Sequence, residues 1–519
     1  MRKTLLIALA VVILAVGAFV GVRYLANREG GVSASSIPVS GNVSLAATVF
    51  KPKGSGTHPL IVMPSAWGAR QTEYVNVGGM FARAGFVVVT YTQRGFYSSG
   101  GQIDFAGPNT VSDVSSVIDW AIKHQHADPN HVGMLGQSYG AGVSLLGAEH
   151  DPRIKAVVAL STWGSWGGTF IQNGTLVSRS LQSLIGGGSN ATRHLDGDIT
   201  SLALEYSTQP DLAMSLINKL SPERSPINGV AQLNKNKTAV MLANGFQDAL
   251  LNVSQVVSLY GKLTGPKRLQ LGTGDHGQPE LAAFVSGKPE GPVANALKWM
   301  QHYLQGRDNG IQNEAPIQVQ DGKTGAVRDL KAWPAGGQTS TLSLPVGSKN
   351  YNTDGGSWTT LLGAGRVTGV GAPVEQSPLV STYHFAVANL QAVSPVVTLR
   401  WDLAAEKKAR IVQGTGKLSF GLTGNGSAGS VFAYVYDVNP AGLGTLMSVT
   451  PLSVTGLSKT TPRYVSMSLT PTAWTVPAGD HVSLVLSATD GKWTSRGQVG
   501  GVLGVTSTPS HPAQLTLPS

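Results

Sequence analysis

The sequence contains no cysteine, which excludes disulfides, a thiolate nucleophile and any metal site with cysteine ligands. Charged residues are scarce, at 13% of the chain, and the formal charge of +10 is spread thinly. No run of lysine and arginine is interleaved with aromatic residues, so the composition argues against nucleic-acid binding. No calcium-type acidic loop and no other metal-ligand motif stands out, and we expect neither a metal nor a cofactor.

The chain is long and moderately apolar, with 519 residues of which 41% are hydrophobic. This length exceeds what one ordinary core accommodates, so we expect two folded domains. The 65 glycines indicate many tight turns rather than long helices.

The N-terminus carries the pattern of an export signal. Arg2 and Lys3 precede an uninterrupted apolar run that begins at Leu5 and ends at Val22. The run is also about long enough to cross a membrane, so residues 1–26 are predicted to be either a cleaved signal peptide or an uncleaved anchor. Both alternatives predict an extracytoplasmic protein, secreted or anchored to the membrane. The polar residues 27–41 are predicted to be a tether.

Residues 42–310 alternate short apolar runs with helical patterns, which predicts an α/β domain with a parallel sheet flanked by helices. The predicted strands are residues 44–50, 60–64, 86–91, 132–135, 154–160, 238–243 and 268–271. Residues 163–237 break this alternation with several short helical patterns. An insertion between two sheet strands is predicted to form a cap over the strand ends.

Residues 316–519 have a different pattern, because helical periodicity disappears and short alternating segments follow one another. Glycine, proline, asparagine and aspartate separate these segments, which predicts an all-β sandwich of jelly-roll type. The domain boundary is predicted between residues 306 and 316.

The strongest local motif is Gly-Gln-Ser-Tyr-Gly at residues 136–140, between a predicted strand and an apolar helix. A serine on a tight strand-to-helix turn needs small neighbours, because the backbone there is strained and crowded. The turn exposes the hydroxyl group, and the helix N-terminus offers N–H groups to an oxyanion. Ser138 is therefore the candidate nucleophile, and an ordinary strand-to-helix turn is the alternative.

A serine nucleophile requires an orienting carboxylate and a base, and in the α/β-hydrolase fold the carboxylate follows the serine along the chain and the histidine base follows the carboxylate. His276 lies in a loop directly after a predicted strand, and Asp248 lies in the loop after the preceding one. Loops at the same edge of a parallel sheet meet, so we predict a triad of Ser138, Asp248 and His276. The alternatives are a solvated loop histidine and an aspartate that only stabilises its turn.

Two oxyanion donors and an acyl pocket are also expected. The first donor is the backbone N–H of Tyr139, and the second comes from the loop at residues 64–69, with Trp67 as the candidate. Trp163 and Trp166 follow a predicted strand at the start of the cap. They either line an apolar acyl pocket or simply pack the cap.

Several short motifs together resemble the X-Pro dipeptidyl-peptidase-like hydrolases, which include cocaine-esterase-type enzymes and α-amino acid ester hydrolases. These motifs are residues 94–95, 99–101, 128–130, 136–140, 333–334 and 475–479. The resemblance implies an α/β-hydrolase with a helical cap and a jelly-roll domain, with Ser138 as nucleophile, Asp248 as orienter and His276 as base. Residues 64–70 contain no tyrosine, although relatives often use one there as an oxyanion donor. Thr92 stands where relatives usually have aspartate.

The predicted function is hydrolysis of an ester or amide bond in a small-molecule or peptide acyl substrate, through an acyl-serine intermediate. One alternative is an X-Pro dipeptidyl-peptidase that requires a free amine. An alternative of another class is a non-catalytic surface-binding protein whose sandwich domain is the active part. The sequence does not determine the oligomeric state.

Overall fold

The computed structural model describes residues 31–192, 194–333, 339–353, 387–392, 398–497 and 500–518. The predicted export segment, from Leu5 to Val22, lies outside these residues. Within the described ranges, none of the helices has the length and apolar character needed to span a membrane.

A ten-stranded sheet forms the centre of the first domain. Its strands up to the cap are β1 (Val32–Val39), β2 (Val43–Phe50), β3 (His58–Pro64), β4 (Val87–Tyr91), β5 (Ala127–Gln137) and β6 (Ile154–Leu160). The cap contains the short hairpin β7 (Ile171–Gln172) and β8 (Thr175–Leu176). The sheet continues with β9 (Ala239–Gly245), β10 (Lys267–Gly272), β11 (Ile317–Gln320) and β12 (Val327–Leu330).

The strand order is β1-β2-β4-β3-β5-β6-β9-β10-β11-β12. The strands from β4 to β11 run parallel, while β1, β2 and β12 are antiparallel to their neighbours. Strand β4 is buried at every position, because helices cover both faces of the sheet. This parallel arrangement brings the loops after β5, β9 and β10 to one edge of the sheet.

The helices of this domain pack on both faces of the sheet. They are α1 (Val75–Arg83), α2 (Pro108–Gln125), α3 (Tyr139–His150), α4 (Trp166–Phe170), α5 (Ser178–Thr192), α6 (Gly197–Glu205), α7 (Pro210–Leu220), α8 (Pro226–Asn236), α9 (Val253–Lys262), α10 (Gln278–Ser286) and α11 (Gly291–Gln305). One apolar core contains α1 and α11, and the other contains α2, α3, α9 and the cap. The helices α4 to α8 lie between β6 and β9, where the sequence predicts the cap.

Two boundary predictions need correction. The predicted tether at residues 27–41 was wrong for residues 32–39, which form β1 and pair along their whole length with β2. The predicted domain boundary was too early, because β11 and β12 extend the first sheet as far as Leu330. Strands β1, β11 and β12 are short or polar. Pairing with neighbouring strands at the sheet edge stabilises them, and the local sequence pattern does not reveal this pairing.

The second domain is a sandwich of antiparallel sheets. Its described strands are β13 (Thr339–Ser343), β14 (Gly347–Asn352), β15 (Val387–Asn389), β16 (Thr398–Asp402), β17 (Arg410–Gly414), β18 (Lys417–Gly424), β19 (Ala428–Val438), β20 (Leu443–Thr455), β21 (Arg463–Ser468), β22 (Thr472–Val476), β23 (His481–Ser487), β24 (Val502–Ser507) and β25 (Gln514–Pro518). Apolar side chains of β18, β24 and β25 face those of β16, β19 and β23 in one core. The predicted fold class, an α/β-hydrolase followed by a β-sandwich, is confirmed.

A separate apolar cluster joins the two domains, and we call it the interdomain cluster. It consists of Val177, Ala249, Ala388, Leu390, Phe432, Tyr434, Tyr436, Val438, Leu446, Val485 and Trp493. Val177 belongs to the cap, and Ala249 directly follows Asp248. The sandwich therefore packs against the loop that carries the candidate catalytic aspartate.

Candidate active site

Ser138 occupies a strained turn between β5 and α3. Its φ of 56° and ψ of −119° place it in a region that residues other than glycine rarely adopt. Its N–H donates to the carbonyl of Leu160 at 2.8 Å, which fixes the turn against β6. The conformation presents the hydroxyl group at the N-terminus of α3, as the motif predicts.

The glycines on either side of this serine are required by close backbone approaches. A Cβ on Gly136 would lie 2.2 Å from the carbonyl carbon of Gly140. A Cβ on Gly140 would lie 2.0 Å from the carbonyl oxygen of Pro64, on the neighbouring strand β3. Any side chain at either position would push the turn away from the sheet.

The structure brings the three predicted triad residues together. His276 Nε2 lies 2.7 Å from Ser138 Oγ, and His276 Nδ1 lies 2.9 Å from Asp248 Oδ2. The carboxylate accepts a hydrogen bond from Nδ1–H, which leaves Nε2 free to accept the proton of the serine hydroxyl group. The side chains from the three loops that the sequence places at one sheet edge therefore form a continuous chain of hydrogen bonds.

Backbone amides hold the carboxylate of Asp248 in this orientation. Its Oδ1 accepts hydrogen bonds from the N–H groups of Leu250 and Leu251 at 3.0 and 2.7 Å. Asp275 does not face the imidazole; its Oδ1 accepts from the N–H groups of Ala249 and His276 at 2.9 and 2.7 Å. Asp275 therefore ties the aspartate loop to the histidine loop.

Charges around the imidazole outweigh its burial. Burial alone would lower the pKa of His276, but the charge and hydrogen bond of Asp248 raise it above the usual histidine value, with smaller contributions from Glu280 and Asp275. Glu280 is itself buried, and burial raises its pKa to about 7. Its Oε1 accepts from Ser161 Oγ at 2.7 Å, and the same hydroxyl accepts from the N–H of Gly277 at 3.2 Å.

Tyr74 and Glu280 are site residues that sequence reasoning missed. The Tyr74 hydroxyl accepts from the N–H of Gln137 at 3.0 Å and donates to the carbonyl of Pro64 at 3.0 Å. It thereby connects the serine turn to the end of β3. The available sequence signal for Glu280 was its position four residues after His276, in the first turn of the helix that follows.

Trp67 and Tyr139, the predicted oxyanion donors, line one pocket together with Ser138. The indole Nε1 of Trp67 donates to the carbonyl of Leu184 in the cap at 2.6 Å, so the indole N–H is not available to an oxyanion. Among the described residues, no group accepts a hydrogen bond from the backbone N–H of Trp67. The two backbone N–H groups of Trp67 and Tyr139 are therefore the candidates for the oxyanion hole.

An apolar pocket of about 290 Å³ adjoins Ser138. It is lined by Trp67, Phe105, Ser138, Tyr139, Trp163, Trp166, Thr169, Phe170, Leu184 and Leu251. Trp163 and Trp166 therefore line this pocket as predicted, and they also pack the cap. The Nε1 of Trp163 donates to the carbonyl of Arg224 at 2.7 Å. Phe105, Phe170 and Leu184 come from distant segments and carried no sequence signal.

The described part of the chain contains no cluster of three or more histidine, aspartate or glutamate residues able to hold a metal ion. The site chemistry that the geometry supports is attack by an activated serine on an acyl carbon.

Comparison with known proteins finds a peptidase family model that is similar to part of the first domain. Residues 40–278 match the family model described as X-Pro dipeptidyl-peptidase (S15 family). A Bacillus cereus protein that carries the provisional name Xaa-Pro dipeptidyl-peptidase is 22% identical over 470 residues, which cover 82% of this chain and 75% of that protein. An uncharacterized 31.7 kDa protein of Escherichia coli is 33% identical over 117 residues, which cover 22% of this chain and 41% of that protein. The alignment thus spans less than half the length of this shorter relative.

Solved structures share the two-domain fold. A CocE/NonD family hydrolase from Staphylococcus aureus superposes with a TM-score of 0.70 at 13% identity, over 93% of this chain and 92% of that chain. An α-amino acid ester hydrolase superposes with a TM-score of 0.67 at 15% identity, over 94% and 96%. These similarities extend the likeness from the first domain to the sandwich.

Proposed function

Because residues 40–278 match the model of the X-Pro dipeptidyl-peptidase (S15) family, we propose that this protein is a serine hydrolase that cleaves ester or amide bonds through an acyl-Ser138 intermediate. The contact of Ser138 Oγ with His276 Nε2 at 2.7 Å carries the proposal, because it joins nucleophile and base. His276 removes the hydroxyl proton as Ser138 attacks and then donates it to the leaving group. The oxyanion forms between the N–H groups of Tyr139 and Trp67.

A fluorophosphonate probe tests this proposal directly, because it labels an activated serine covalently. We expect labelling of the wild-type protein at Ser138 and loss of labelling in Ser138→Ala, since that variant lacks the attacking oxygen. Turnover of activated acyl esters should fall by about 10³-fold or more in the same variant. Ser144→Ala on the same helix is the matched control and should be labelled normally. Labelling that survives in Ser138→Ala contradicts the assignment.

The pocket composition supports an apolar acyl group in preference to a free amine. No aspartate or glutamate is among the residues that line the 290 Å³ pocket in the described part of the chain.

The S15 family match favours the second candidate, an X-Pro dipeptidyl-peptidase. Comparing chromogenic amides of Ala-Pro and acetyl-Ala-Pro separates the two, because only a dipeptidyl-peptidase requires the free amine.

The apolar run from Leu5 to Val22 supports an extracytoplasmic location, either secreted or anchored. Expression with the natural N-terminus, followed by cell fractionation and N-terminal sequencing, tests this part of the proposal. A protein recovered in the cytoplasm with Met1 intact would contradict it.

A further inference from the structure

The loop between β23 and β24 of the sandwich is hydrogen-bonded to the first domain. The carbonyl of Lys492 accepts from the N–H of Arg179 at 3.1 Å, and the N–H of Thr494 donates to the carbonyl of Leu176 at 2.9 Å. The Nε1 of Trp493 donates to Gln172 Oε1 at 3.2 Å. All three partners in the first domain belong to the cap.

Lys492 is buried in this loop, with 7% of its surface exposed. Asp490 shapes the loop, because its Oδ1 accepts from the N–H of Lys492 at 2.7 Å and its Oδ2 accepts from the Tyr434 hydroxyl. Lys492 and Asp248 line the same cavity of about 440 Å³, together with Ala249. The lysine and the candidate catalytic carboxylate thus face the same cavity.

Three carboxylates act electrostatically on the Lys492 ammonium group. Burial lowers the pKa of Lys492 below the usual lysine value, and the charges of Asp275, Asp490 and Asp248 offset part of this lowering. Two of these carboxylates belong to the catalytic loops. Asp275 Oδ2 has no hydrogen-bond partner in the described part of the chain. Two buried carboxylates this close to one imidazole need a compensating cation, because an unpaired buried charge is costly.

We propose that Lys492, supplied by the sandwich domain, is a positioning residue of the triad. Its ammonium group balances the buried charges of Asp248 and Asp275 and keeps Asp248 directed at His276. The inference rests on the proposed function, because it requires His276 to act as the base. It also gives the sandwich a chemical role, since a residue of the second domain completes the electrostatics of a site built in the first.

The test compares Lys492→Met and Lys492→Gln, which remove the charge, with Lys492→Arg, which keeps it. The exposed Lys459→Met, also in the sandwich, is the matched control. Each protein is assayed for kcat and KM on p-nitrophenyl acetate from pH 5 to pH 9, after its melting temperature has been measured. Lys492→Gln keeps a polar side chain at the site, so it replaces Lys492→Met in the test if that variant does not fold.

Loss of the positive charge leaves the carboxylates to stabilise protonated His276 without compensation. We therefore expect the acidic limb of the kcat/KM profile to move up by about half a pH unit or more in both neutral variants. We also expect kcat to fall by about tenfold at pH 7 with KM nearly unchanged, because the lysine acts through Asp248 and not on substrate. Lys492→Arg should retain the wild-type limb, and Lys459→Met should match wild type throughout.

A lysine that serves only to dock the loop would lower the melting temperature and leave the acidic limb in place, which overturns the proposal. Fluorophosphonate labelling of the wild-type protein separates this failure from a wider one. If wild type is labelled and the neutral variants keep its pH profile, only the role of Lys492 is wrong. If wild type is not labelled, the proposed function itself fails.

Discussion

Glu280 is a buried carboxyl group beside the catalytic imidazole that the acyl-transfer steps do not use. It lies at the N-terminal turn of α10, bonded to Ser161, and its Oε2 has no hydrogen-bond partner among the described residues. Its charge raises the pKa of His276, and the charge of protonated His276 in turn lowers that of Glu280. We therefore expect Glu280 to adjust the pH at which His276 becomes available as a base.

Glu280→Gln should shift the acidic limb of the kcat/KM profile to lower pH, because a neutral amide cannot stabilise protonated His276. A steady-state pH series on one ester substrate measures this shift. Glu290→Gln, at the exposed start of α11, is the control and should leave the limb in place. An unchanged limb in Glu280→Gln would show that the two groups are not coupled.

The same residue makes folding stability depend on pH. Burial raises its pKa from 4.5 to about 7, so the folded protein binds this proton more tightly than the unfolded chain does. The resulting stability is fully present below pH 4.5 and is lost as the pH rises through about 7. Glu280→Gln does not titrate, so its melting temperature relative to wild type should increase from pH 5 to pH 8. A constant difference across this range would contradict the assignment of the raised pKa.

Gly140 tests whether the serine turn depends on close contact with β3. The Cβ of Gly140→Ala would meet a backbone oxygen at 2.0 Å, so the turn must move. We expect a loss of about 3 kcal/mol or more in the free energy of unfolding, with loss of fluorophosphonate labelling. Denaturant unfolding measures the first effect. Gly261→Ala, at a helical glycine with open space around it, should instead gain about 0.5–1 kcal/mol. Equal effects of the two substitutions would contradict this explanation.

At the scale of single residues, the triad could be predicted from the sequence, but many of the residues around it could not. Each triad residue follows a buried strand in one order along the chain, and a parallel sheet brings such loops together. Phe105, Phe170 and Leu184 reach the pocket through the fold of the cap and have no fixed spacing from the serine. Lys492 comes from the other domain, and only the docking of the sandwich places it near the site.

At the scale of elements, β1 was missed because its sequence, VSASSIPV, alternates small and polar residues without an apolar stripe. Only Ile37 is fully buried, where it pairs with Leu45 on β2. Pairing with an adjacent strand thus decided the structure where the local pattern indicated a tether. The nearly continuous apolar runs of β4 and β6 were predicted, because strands buried on both faces need them.

Ile37 provides the test of whether β1 is an integral strand. Ile37→Asp would bury an unpaired charge, so we expect a loss of about 3 kcal/mol or more in the free energy of unfolding. Ser36→Asp, the adjacent exposed position on the same strand, should change it by less than about 0.5 kcal/mol. Urea denaturation of both variants measures the difference. If residues 32–39 were a tether in solution, the two substitutions would be equally harmless.

At the scale of the whole molecule, the sandwich packs directly against the loop that carries Asp248. The interdomain cluster joins Ala249, beside the triad aspartate, to strands β19, β20 and β23. Trp493 contributes a large buried ring to this cluster and stacks at an angle against Phe432, with ring centroids 5.6 Å apart. Because the two domains share this core, they should unfold together.

Trp493→Ala should therefore uncouple the domains. Removing the ring costs about 3–5 kcal/mol of packing, and the loss falls on the contact between domains. Differential scanning calorimetry should show one transition for wild type and two for Trp493→Ala. Trp401→Ala is the matched control, because Trp401 packs within the core of the sandwich itself and its loss should lower a single transition. Activity of Trp493→Ala should disappear with its first transition, since the aspartate loop loses its support before the sandwich melts. A single transition in Trp493→Ala, lowered to the same extent as in Trp401→Ala, would show that the coupling between domains does not depend on this cluster.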